Sequence, residues 1–211
     1  MENTNELPKL TLEEIRVLGA LIEKSKTTPD YYPLTLNSLI TACNQKSSRN
    51  PVVEFQQNTV LETIDSLKKK MLLANMLGDG RTIKYRHTIA VKYALDPAEV
   101  TVLGLLFLRG PITLGEIKNM AGRMYDFEDL HEVQTVVTNL MNEDFPYLAQ
   151  MERRPGQKEA RFYHLFADQP EFEEESSKVN SSEKINDLEN RIVVLEEQVA
   201  TMKKILDDLM N

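Results

Sequence analysis

The sequence predicts a mainly helical α+β protein made of two copies of one small helix-and-hairpin unit, followed by a coiled-coil helix. Three observations predict it. Four blocks recur in the same order: residues 14–21 return at 99–106, 33–36 at 111–114, Val60, Ile64 and Leu67 as Val133, Val137 and Leu140, and 84–87 at 161–164. The offsets between them, 85, 78, 73 and 77, drift only as loop lengths would make them drift. A repeat of this length is a duplicated domain and not a solenoid. Both copies also end in a hairpin signal, and the last part of the chain carries an unbroken heptad pattern.

In order along the first copy, Thr11 followed by Glu14 is a capping box ahead of an apolar-periodic run to Ile22, which predicts a helix. Residues 27–32, with Pro29 and then Pro33, are expected to be loop. Thr35 then caps a short helix carrying Leu36, Leu39 and Ile40, and residues 45–51 form a polar loop. From about Phe55 the spacing of Val60, Ile64, Leu67 and Met71 marks a third amphipathic helix. Residues 72–77 and 82–87 flank Gly78-Asp79-Gly80-Arg81, a hairpin turn.

The second copy repeats this in shorter form. Asp96, Pro97 and Glu99 supply an N-cap, a proline at the first helical position and the third-position acid of a capping box. Thr113 caps the next helix, and Asp126 is expected to cap the third, with Leu130, Val133, Val137 and Leu140 inside it. Residues 147–151 and 160–166 flank a turn at Arg153-Arg154-Pro155-Gly156. Three helices and a hairpin is the order of a winged helix-turn-helix, whose third helix and hairpin "wing" are the usual contact surfaces. The division expected is residues 10–95 and 96–167 as two winged-helix domains, 168–182 as an acidic linker and 183–210 as a coiled-coil helix.

In that last segment Ile185, Leu188, Ile192, Leu195, Val199, Met202, Leu206 and Leu209 step 3, 4, 3, 4, 3, 4, 3. β-Branched residues at the first heptad position with Leu at the fourth favour a parallel homodimer. Lys184 would meet Glu189, and Arg191 would meet Glu196, between the two chains.

The 211 residues carry a net charge of −8, distributed as +3 over residues 1–95, −5 over 96–170 and −6 over 171–211. An acidic whole disfavours strong nonspecific binding to nucleic acid, while the mildly basic first copy leaves a local site open. No apolar run reaches the roughly 18–20 residues that span a bilayer, so no membrane association is expected. Residues 1–8 are polar and acidic, without a signal-peptide core. The single cysteine, Cys43, excludes an intrachain disulfide and a multi-cysteine zinc site. A cytoplasmic location follows as the expectation.

The densest polar stretch is Thr27-Thr28-Pro29-Asp30-Tyr31-Tyr32-Pro33 and then Ala42-Cys43-Asn44-Gln45-Lys46-Ser47-Ser48-Arg49-Asn50-Pro51. These strings resemble the YceH-like family of bacterial proteins, and the resemblance extends from about Leu10 to Leu165. It implies a tandem winged-helix fold in a cytoplasmic bacterial protein, with DNA binding suspected from the fold. It brings no catalytic or binding residues with it.

On the residues themselves, Lys46 and Arg49 precede the third helix, where a bound duplex would present its backbone, and can neutralise phosphates. Gln56, Gln57, Asn58 and Thr59, with Glu62, Thr63 and Ser66, form that helix's polar side; amides there can read adenine. Arg81, Lys84 and Arg86 make the wing basic. The competing reading is an ordered loop whose Asn and Ser side chains bond neighbouring backbone, and lysines 68–70 that answer the helix dipole.

In the second copy Asp126, Glu128, Asp129 and Glu132 crowd the start of the third helix and repel phosphate, although Arg153, Arg154, Lys158 and Arg161 lie in its wing. That copy suits a protein partner better. No nucleophile elbow, phosphate loop or metal-ligand spacing is present, so no enzyme activity, cofactor or metal is expected. His87 and His164 hold equivalent hairpin positions and read as structural. Gly19 and Gly104 match as well, and close helix packing explains a glycine that weakens both helices. Two readings remain: a dimeric DNA-binding regulator acting through the first domain, or an acidic adaptor that binds protein and not DNA.

Overall fold

The computed structural model describes residues 7–78, 82–152 and 159–168, all within the compact unit that runs from Met1 to Pro170. It is an α+β structure, about half helical, with two three-stranded antiparallel sheets among the described residues. The heptad positions from Ile185 to Leu209 lie outside those residues, as do Arg81, Arg153, Arg154 and Lys158.

Helix α1 (Leu12–Thr27) opens on the expected capping box: Thr11 Oγ1 accepts from the Glu14 amide at 3.3 Å, and the Glu14 carboxylate accepts from the Thr11 amide at 2.8 Å. It ends at Thr28, one residue before Pro29. Strand β1 (Leu34–Thr35) leads into α2 (Leu36–Cys43), capped by Thr35, and then α3 (Gln57–Lys69) buries Val60, Ile64 and Leu67. Strands β2 (Leu73–Leu77) and β3 (Ile83–His87) form the hairpin, and β1 adds to the far side of β3, giving the order β1-β3-β2.

The second copy runs in the same order: α5 (Pro97–Arg109) with the Asp96–Glu99 capping box, β4 (Ile112–Thr113), α6 (Leu114–Ala121), α7 (Leu130–Leu140), β5 (Leu148–Gln150) and β6 (Arg161–His164), with sheet order β4-β6-β5. The strand register carries the duplication to single residues. Leu34 pairs with Tyr85 and Thr35 with Lys84; Ile112 pairs with Phe162 and Thr113 with Arg161.

Between the copies lies α4 (Ile89–Tyr93), which ends at Ala94 in the left-handed region. Four local features depart from expectation. The loop at residues 27–32 contains a single 3-10 turn, Pro29–Tyr31. The short strands β1 and β4 and the five-residue α4 are additional, because segments of two to five residues carry no readable period. Helix α3 starts at Gln57, two residues later than expected. Helix α7 is capped by Asp129, whose side chain accepts from the Glu132 amide, and not by Asp126.

Helices α1 and α5 form the centre. Residues 14–22 of α1 and 100–108 of α5 are buried without interruption. A helix buried on all sides must meet a neighbour closely somewhere, and here glycine permits it. A Cβ on Gly19 would sit 2.9 Å from Phe107 Cβ, and a Cβ on Gly104 would sit 2.5 Å from Ile22 Cγ2. Gly19 and Gly104 are repeat equivalents, and so are Ile22 and Phe107. The contact is therefore reciprocal, the signature of a two-fold relation between like elements. Asn50 adds a second tie: its backbone amide donates to Leu108 O at 2.8 Å, so the α2–α3 loop of one copy sits on the end of α5 in the other.

Candidate nucleic-acid interface

The α2–α3 segment is built from inside. Asn44, at the C-cap of α2, donates through Nδ2 to Phe55 O at 2.9 Å and accepts from the Phe55 amide at 2.8 Å. This reciprocal pair joins the end of α2 to the start of α3 and closes the loop between them. Arg16, buried in α1, donates to Cys43 O at 3.2 Å and also to Pro51 O. Its Nε has no partner, and burial together with the Arg49 charge lowers its pKa. Nothing in the sequence marks Arg16: its repeat equivalent is Thr101 and it lies within an apolar run.

Arg49 corrects an expectation. Its position beside Lys46 predicts a phosphate contact, yet its guanidinium is fully buried and bonded within the fold. It donates to Glu23 at 2.6 and 3.0 Å, to Ala42 O at 2.9 and 3.2 Å, to Ser48 O at 2.9 Å and to Gln45 Oε1 at 2.8 Å. Burial raises the Glu23 pKa, but hydrogen bonding and charge from Arg49 outweigh it and hold the carboxyl below its usual range. A loop of polar residues can retain a cation when helix carbonyls and a carboxylate lie within its reach. The sequence does not show that geometry. Cys43, beside these arginines, has its thiol pushed up to about 12 by burial.

The remaining sequence-derived residues are placed as follows. Lys46, Gln56, Gln57 and Asn58 are exposed, and Thr59 is half-buried. Lys84 is half-buried on β3, with its aliphatic stem against Gly78. On α2, Asn37, Ser38 and Thr41 add to the exposed polar surface, which the sequence reading had not included. Two members of the expected α3 polar side turn inward: Thr63 Oγ1 donates to Thr59 O, and Ser66 Oγ donates to Glu14. The outward centre of α3 instead shows Glu62 and Asp65, the latter 3.3 Å from Lys68.

The two copies differ at the start of the third helix. Gln56, at the N-cap of α3, makes no side-chain cap hydrogen bond. In the second copy Asp129 caps α7, and the Glu132 carboxylate accepts from Tyr125 Oη at 3.0 Å and from the Glu128 amide at 2.6 Å. Negative charge thus occupies the positive end of α7, whereas the first-turn amides of α3 have no side-chain acceptor. Of the four acids that crowd α7, Asp129 caps it and Glu132 bonds the segment before it, and the outward face beyond shows no acid: His131, Gln134, Thr135, Thr138 and Asn139. A groove of about 450 Å³ lies beside it, lined by Leu114, Gln134, Thr138, Met141, Gln150 and Phe162 among others.

His87 and His164 sit at the ends of β3 and β6 and pack inward. Burial lowers both to about 4, with the charges of Lys26 and Arg86 adding to the effect on His87. Ser25 Oγ donates to Ile22 O at 2.7 Å, so the 3.3 Å contact to His87 Nε2 requires that nitrogen to carry the ring proton. Among the described residues no three His, Cys, Asp or Glu are placed to hold a metal ion, and no helix is long and apolar enough to cross a membrane.

A family described as "Protein of unknown function, DUF480" matches residues 10–157. The chain is 42% identical to a UPF0502 protein of Shewanella sp. (strain MR-7), over 96% of this chain and 98% of that protein. It is 44% identical to a UPF0502 protein of Geobacter sulfurreducens, over 90% and 88% of the two chains. It is 47% identical to one from Geotalea uraniireducens, over 89% and 87%. With a family match over most of its length and relatives that align nearly end to end, the chain belongs to the DUF480 family of bacterial proteins.

Proposed function

We propose that this protein is a cytoplasmic, non-enzymatic DNA-binding regulator made of two winged helices, residues 10–95 and 96–167, that dimerises through the heptads of residues 183–210 after an acidic linker. The observation that carries the DNA reading is the open N-terminus of α3. Its first-turn amides lack a side-chain cap, exposed Gln56, Gln57 and Asn58 stand at that end, and exposed Lys46 lies two residues after Asn44, whose side chain bonds Phe55. Backbone amides at a helix N-terminus, with a lysine beside them, suit a phosphate oxygen. The order helix–strand–helix–helix–hairpin supports a winged helix in each copy, with α3 and β2–β3 of the first copy as the contact elements.

The test is fluorescence anisotropy of the full chain on duplex DNA at several salt concentrations. Binding weakens steeply with salt, and Lys46→Ala lowers the log–log salt slope by up to about one. Gln57→Ala and Asn58→Ala change sequence preference more than overall affinity.

A second reading is favoured by Glu62 and Asp65 on the outward centre of α3 and by the groove beside α7: an adaptor that takes a protein partner through the second copy. No DNA binding at low salt, with a stoichiometric protein partner recovered after nuclease treatment and lost on Gln134→Arg, decides for the adaptor.

A further inference from the structure

The groove beside α7 has an apolar floor. Val137 and Phe162 are buried there, and Leu114 and Met141 are half-buried. Gln134, Val137, Thr138 and Met141 stand at i, i+3, i+4 and i+7, so they form one stripe along α7 and its C-cap. Gln150 lies directly opposite Phe162 across β5–β6, so these two side chains share the sheet face that closes the groove's other side. The first copy differs at the equivalent positions. Asp65 stands for Thr138 and Lys68 for Met141, and an ion pair of 3.3 Å joins them. Thr138 and Met141 cannot form such a bridge, and the second copy keeps about 450 Å³ of open space beside them.

Backbone geometry and charge select the occupant. β5 is an edge strand, paired with β6 alone. The Leu165 amide donates to Tyr147 O and the Met151 amide to Arg161 O, so residues 147, 149 and 151 turn their backbone groups toward β6. The amide and carbonyl of Gln150 therefore point away from β6, beside the groove that its side chain lines. Glu143 on the groove wall and Asp144 next to it are exposed and make no ion pair among the described residues. Residues 96–170 carry −5 overall, with Arg153 and Arg154 counted. We propose that this groove binds an extended, basic peptide segment of a partner protein, which adds a strand to β5, seats an apolar side chain on Phe162 and Met141 and sets a Lys or Arg against Glu143. Main-chain bonds to a sheet edge give such a peptide its affinity, and pockets for alternate side chains give it specificity. The flexible thioether of Met141 lets the floor fit either an aliphatic or an aromatic anchor. The inference rests on the protein-partner reading of the second copy and names that partner's chemistry. It holds whether or not the first copy binds DNA. A duplex is the poorer occupant, since its phosphates meet the same acids.

The experiment pans the full chain against a display library of short random peptides and measures the enriched peptide by fluorescence anisotropy. The enriched sequences are expected to alternate apolar with other residues and to carry Lys or Arg beside the apolar position. Thr138→Asp with Met141→Lys, which copies the first unit's ion pair across the groove, weakens the peptide by about tenfold or more while circular dichroism is unchanged. Glu143→Lys, at an exposed position, slows association and removes its acceleration at low salt. Methylating the peptide's backbone nitrogens at one set of alternate residues abolishes binding, and methylating the other set does not. No enrichment, acidic peptides, peptides with helical spacing of their anchors, or binding that survives both sets of substitutions overturns the proposal. A native partner that is lost on Gln134→Arg but docks through a helix or an acidic segment also overturns it, and leaves the adaptor reading standing. Duplex binding lost on Thr138→Asp with Met141→Lys gives the groove to DNA. A full-chain oligomer broken by that pair of substitutions gives it to a second copy. Either result overturns the peptide.

Discussion

One arginine and three lysines show that the surroundings of a charge decide its role. Arg49 and Lys46 lie three residues apart in one loop, yet Arg49 is internal and Lys46 exposed. Arg49→Ala takes from the Glu23 carboxylate its two shortest hydrogen bonds, leaving it Lys24 at 3.4 Å, and removes the donors to Ala42 O. Removing one member of a buried pair costs about 3–5 kcal/mol. Urea denaturation will show a lower midpoint for Arg49→Ala, while Lys46→Ala stays within about 0.5 kcal/mol of the parent, as surface substitutions do. Lys70 resembles Arg49 in miniature: its ammonium donates to Glu14 at 2.6 and 2.7 Å, whereas Lys69 is exposed.

The histidines make stability depend on pH. His87 and His164 titrate near 4 in the fold and near 6.5 when unfolded, so between those values the unfolded chain binds more protons. Stability is therefore complete above pH 6.5 and is lost as pH falls toward 4, by up to about 3 kcal/mol per histidine. The urea midpoint measured from pH 7 to pH 5 will fall, and its slope will flatten in His164→Gln. These histidines could be matched by register from the sequence, but their buried, unpartnered Nδ1 atoms could not.

At the level of elements, the capping residues were legible and the helix contacts were not. Thr11, Thr35, Asp96 and Thr113 cap where a short polar side chain precedes an apolar-periodic run, because the cap bonds only to its own first turn. Asp126 and Asp129 are both plausible caps in a string of acids, and the choice between them depends on where Phe127 enters the core, 2% exposed. The glycines were legible as a repeat, while their partners required the packed structure. Gly104→Ala gains about 1 kcal/mol in helix propensity. Its Cβ must displace Ile22 Cγ2 from 2.5 Å, and such overpacking costs about 1–3 kcal/mol. Thermal unfolding will show Gly104→Ala destabilised. Gly122→Ala, with nothing within 4 Å and ordinary helical φ, will be neutral or stabilised by up to about 1 kcal/mol.

For the whole molecule, the proposed dimer rests on the heptads of residues 183–210. Light scattering will give a dimer for the full chain and a smaller species for a chain ending at Ser182; a full chain that stays monomeric at high concentration removes the coiled-coil assignment. The sequence by itself determined the duplication, the order of long helices, four of their caps (Thr11, Thr35, Asp96 and Thr113) and the hairpins, because each depends on periodicity or on contacts within a few residues. It also marked Lys46, Gln56, Gln57 and Asn58, whose side chains meet solvent and are not redirected by the fold. Only the tertiary structure decided that Arg49 and Arg16 face inward, that Thr63 and Ser66 leave the surface to Glu62 and Asp65, and that Asp129 rather than Asp126 caps α7. It also decided that Gly19 and Gly104 meet each other's helices. Those outcomes depend on which distant carbonyls, carboxylates and methyl groups come within a few ångströms. That is set by how α1 packs against α2, α3 and α5, together with which of several local partners each side chain reaches.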